Sequence, residues 1–103
     1  MSEQPGLLQQ LKAYLRITWD DEDEALAGMI ERAKAYLNDL TGVELDFEKE
    51  APPKSLLLDY CRYVYNNARE YYEQNFEKEL LRLQLTTAVS KMKNEGDGHD
   101  SEG

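Results

Sequence analysis

Apolar residues recur at three- and four-residue spacing along most of this chain, and that period constrains the fold most: it belongs to α-helices packed on one side. Leu7, Leu8, Leu11 and Leu15 share one face of a short helix that opens after Pro5-Gly6 and stops near Arg16-Ile17-Thr18. A second stripe, Leu26, Ile30, Ala33, Leu37 and Leu40, runs with Met29 and Tyr36 on its flanks and marks a helix over about Glu22 to Leu40. Asp20 or Asp21 is placed as its N-cap, Asp21 and Glu24 have the spacing of a capping box, and Thr41-Gly42 supplies the stop. Val43 to Ala51 has no helical period. Its acids Glu44, Asp46, Glu48 and Glu50 alternate with Val43, Leu45 and Phe47, the pattern of a solvated connection pinned to the core by every second side chain.

A third helix is predicted to open at Pro53 or Lys54, because proline is tolerated in a first turn, and to reach about Gln74. Leu57, Cys61, Val64, Ala68, Tyr71 and Tyr72 fall in one arc of it, and Leu56, Tyr60 and Tyr63 widen that arc to roughly 200°. So wide an apolar face suits either the central helix of a bundle or a helix whose flank meets another subunit. Between Phe76 and Met92, one helical face carries Phe76, Leu80 and Leu83 and the nearly opposite face Leu81, Leu85, Ala88 and Met92. Two apolar faces need two partners. The alternative is a helix ending near Leu83, with Leu85 to Val89 extended or looped because Thr86 and Thr87 are β-branched. Residues 1–6 read as a flexible N-terminus and residues 93–103, without a large apolar side chain, as a disordered acidic tail that adds nothing to stability. The expected fold class is all-α: a small bundle of three main helices plus a C-terminal helical or partly extended segment, in one domain over residues 7–92.

A chain of 103 residues allows one small domain with a modest core, to which a partner surface would add usefully. Twelve basic against twenty-one acidic residues leave a net charge of -9, so nucleic-acid phosphates repel the chain and binding to DNA through bulk charge is excluded. No run is long and apolar enough for a membrane span, and the start lacks the basic and apolar regions of a signal peptide, so a cytoplasmic site of synthesis and use is expected, with no membrane. One Cys and one His cannot supply a disulfide or a structural zinc site.

The chemistry-bearing residues have plain structural explanations. The run Asp20 to Glu24 lacks the Gly that a calcium loop needs at its sixth position, since a loop from Asp20 puts Ala25 there, and it reads as helix capping. His99 falls in the acidic tail and Cys61 on the central stripe of helix three, where neither has an orienting partner. No phosphate loop, nucleophile elbow or zinc-protease motif occurs. No enzyme activity, cofactor or metal is expected. The unusual feature is seven Tyr, five of them between Tyr60 and Tyr72. Tyr71 and Tyr72 are assigned to the core, while Tyr60 and Tyr63 stand between core and interface, where aromatics are enriched. With Leu81, Leu85 and Met92 they are the candidate protein-binding residues. Arg62 and Arg69, placed across helix three from Tyr60, read as ion-pair partners of Asp59, Glu70 and Glu73.

Leu7-Leu8-x-x-Leu11-Lys12-x-Tyr14-Leu15-Arg16-Ile17, an acidic cap, Leu26-x-x-x-Ile30-x-x-Ala33-x-x-Tyr36-Leu37-x-x-x-Thr41-Gly42 and a Pro-led apolar helix ending Asn67-Ala68-Arg69-Glu70 follow one another over residues 7–73. This order resembles the small head-tail connector proteins (adaptor or head-completion proteins) of tailed bacteriophages and prophages. The resemblance implies a structural virion protein at the head-tail interface, assembled in the bacterial host cytoplasm. It implies a homo-oligomeric ring docked under the portal protein, extending a channel through which DNA passes without specific binding, and a platform for a stopper or tail-completion protein. Past Tyr72 the chain departs from the pattern, so the resemblance assigns no residue to the portal or to the next ring. The net charge of -9 suits a channel wall that repels phosphate. The competing readings are an acidic helical regulator or DNA mimic, which would need carboxylates spaced like phosphates on one rigid face, and a small enzyme, which would need convergent polar groups in a pocket.

Overall fold

The computed structural model describes residues 6–102, with side chains described for residues 6–92. Five α-helices account for the fold: α1 (Leu7–Leu15), α2 (Asp23–Thr41), α3 (Pro52–Tyr65), α4 (Tyr72–Asn75) and α5 (Glu77–Glu102), with a 3-10 turn at Arg69–Tyr71 and no strand among the described residues. The architecture is the all-α bundle that the apolar periods require. The most extensive packing is α2 on α3, and α1 and α5 each contact both of these helices.

The core follows the stripes. Leu11 of α1, Leu26, Ile30, Ala33 and Leu37 of α2, and Leu56, Leu57 and Cys61 of α3 are buried together, joined by Leu80 and Leu83 of α5. In the connection after α2, Phe47 is buried, Val43 and Leu45 are half-buried, and the four interleaved acids are exposed. The turn into this connection needs Gly42, whose φ of 78° is left-handed, with its N–H donated to the Asn38 carbonyl at 2.8 Å.

Two expectations about local structure are overturned, and one pair of alternatives is decided. First, neither Asp20 nor Asp21 caps α2: Glu22 holds that position without a side-chain cap bond. Asp20 and Asp23 instead reach the buried Lys12 ammonium at 2.6 and 2.7 Å, because a charge taken out of water must be paired and hydrogen-bonded. The hydrogen bonds to these two carboxylates hold the Lys12 proton more tightly than usual. Second, α3 stops at Tyr65, well short of Gln74. Asn67 takes a left-handed φ of 59°, Asn66 Nδ2 bonds back to the Arg62 carbonyl, and the Ala68 N–H reaches the Tyr63 carbonyl at 2.7 Å, so the two asparagines end the helix as asparagine is suited to do. Third, of the two readings of the C-terminal segment the helical one holds: the α5 backbone stays helical from Glu77 to Glu102, which excludes an extended piece at Leu85 to Val89. The Thr86 hydroxyl bonds to the Arg82 carbonyl one turn back, so the β-branched residue is accommodated, and a helix once formed gains one bond per added residue.

Burial also sets a pH dependence. Desolvation pushes the Cys61 thiol up to about 12, and desolvation with the Glu73 carboxylate pushes the Tyr36 phenol up to about 12; burial drives Tyr72 upward too. Each group keeps its proton in the folded chain to a higher pH than in the unfolded one. Their contribution is therefore complete below the ordinary thiol value of 9.0 and is lost as pH rises toward 12. The melting temperature is expected to fall steadily from pH 9 to pH 11, with Cys61→Ala delaying the onset toward the phenol range. A flat profile over that interval would contradict this burial.

Candidate interaction surface

The end of α3 at Asn66-Asn67 turns what would be one long helix into a corner, and the corner gathers the tyrosines. Tyr72 points back into the core, fully buried, and its hydroxyl donates to the Leu56 carbonyl at 2.8 Å. Around it lie Tyr60 with ring centroids 5.2 Å apart, Tyr63 at 5.8 Å and Phe76 at 5.0 Å, with Tyr36 of α2 at 6.1 Å. Most of these pairs are edge-to-face, the arrangement that ring quadrupoles favour. The Arg69 guanidinium lies 5.0 Å from the Tyr60 centroid and 5.2 Å from that of Tyr36, closing the cluster on its outer side.

These positions show where several residues singled out by the sequence lie. Tyr60 is a core residue, 8% exposed, with Tyr36, Tyr72 and Arg69 already on its ring. Tyr63 is half-buried, under Arg62 at 5.0 Å, and accepts a hydrogen bond from Asn75 Nδ2 at 2.8 Å. Tyr71, assigned to the core from the helical arc, is 53% exposed, because the 3-10 turn rotates it outward while Tyr72 turns in. Arg69 does not lie across the helix from Tyr60: past the break the chain folds back and sets it over that ring. Its pairing with Glu73 is present at 3.9 Å, as is that of Arg62 with Asp59 at 3.4 Å.

The remaining candidates behave differently. Leu80 and Leu83 of α5 are buried against the bundle, while Leu81, Leu85, Val89 and Met92 form a continuous exposed stripe, 53 to 70% accessible. Val89 escaped the sequence reading because it sits beside the a/d-like series Leu81, Leu85, Ala88, Met92 and not in it. On another side of α5, between it and α3, runs a groove of about 600 Å³ with Leu56, Phe76 and Leu83 among its walls and Asp59, Glu79 and Arg82 at its edges. The α3–α5 corner that frames it follows from the helix break, so no periodicity could have shown it.

Among the described residues no three His, Cys, Asp or Glu side chains converge as metal ligands, and no helix is long and apolar enough to cross a membrane. Cys61 is buried and its thiol is held protonated, the opposite of an activated nucleophile. The His99 side chain lies outside those described. What the geometry provides is a rigid helical body that displays an apolar stripe, and patches of that kind mark sites of association. Comparison with curated proteins and with solved structures gave no match. The family model described as phage gp6-like head-tail connector protein, however, matches residues 6–101. That span takes in α1 to α4 and all but the last residue of α5, including the α5 stripe to Met92, and the chain therefore belongs to the phage gp6-like head-tail connector protein family.

Proposed function

We propose that copies of this chain assemble as a ring at the head-tail junction of a phage particle, dock under the portal, extend its DNA channel and present a platform to a stopper or tail-completion protein. The observation that carries this reading is the exposed apolar stripe of α5 in a chain of the connector family. A small bundle gains nothing by leaving Leu81, Leu85, Val89 and Met92 in water, and a subunit that joins its neighbours does. The net charge of -9 supports a channel through which DNA slides, since an acidic wall repels phosphate. Docking on a portal whose symmetry repeats the binding site strengthens subunit contacts that are weak in isolation, because each bound copy raises the effective concentration for the next. In a sedimentation assay the purified protein is expected to travel with portal-bearing capsids and to stay behind when capsids lack the portal. Equal recovery with both, or with neither, would contradict portal docking.

A further inference from the structure

We draw no further inference here: the strongest candidate, the exposed apolar stripe Leu81, Leu85, Val89 and Met92 on α5, belongs to the interaction surface already described, and nothing in the structure shows what covers it.

Discussion

Truncation of Tyr72 to Ala is expected to destabilise the chain by about 3 to 5 kcal/mol, the usual cost of removing a fully buried aromatic ring. In a domain of this size such a loss lowers the melting temperature by more than about 10 °C and uses up much of the few kcal/mol by which small domains are stable. The size of the effect comes from the position of Tyr72 at the centre of the cluster, against Tyr36, Tyr60, Tyr63 and Phe76, which hold α2, α3 and the start of α5 together. Tyr72→Phe keeps the ring and removes only the hydrogen bond to the Leu56 carbonyl, so about 1 kcal/mol is expected. Thermal or denaturant unfolding of both variants checks the pair. Equal losses would mean that the hydroxyl, not the packing, carries the corner.

Replacing Leu81 and Leu85 with Asp is expected to do the reverse: leave the fold and remove assembly. Both side chains are more than half exposed, so the substitutions bury no charge in the monomer, and the melting temperature should move by only a few degrees. At an apolar contact the same change buries two unpaired carboxylates for every subunit joint, and in a closed ring the penalty recurs at each joint. Helical circular dichroism at the wild-type level with recovery on portal-bearing capsids reduced at least tenfold is the expected result. Wild-type recovery would exclude the stripe as the contact.

The two variants divide the molecule along the line between what its sequence shows and what it hides. The stripes of α2 and of the first half of α3 are plain in the sequence, because a buried helix face repeats every three or four residues and each member is apolar; α2 ends within about a residue of where Thr41-Gly42 puts it. The end of α3 carries a signal too, the adjacent Asn66 and Asn67, but apolar residues on either side keep the helical period and mask it. From that point the arc drawn over Tyr71 and Tyr72 is wrong, and only one of the two is buried. The acids before α2 hide their role for a different reason. Lys12 lies within the first helix, next to its apolar stripe, and no local pattern shows that it is buried and draws Asp20 and Asp23 to itself. Of the candidate interface residues, Leu81, Leu85 and Met92 are exposed as the two-faced pattern of α5 requires, whereas Tyr60 is enclosed by residues far from it in sequence, Tyr36 and Arg69.

The measurement that bears most directly on the account is the fate of heads made without this chain. A phage or prophage that encodes it is induced with the gene deleted, and DNA-filled, tailed particles are counted by electron microscopy beside a strain supplied with the wild-type copy. The account expects heads with portals but without tails, unable to retain packaged DNA, and full rescue by the supplied gene. Complete, infectious, DNA-filled particles at wild-type numbers in the absence of the chain would contradict it.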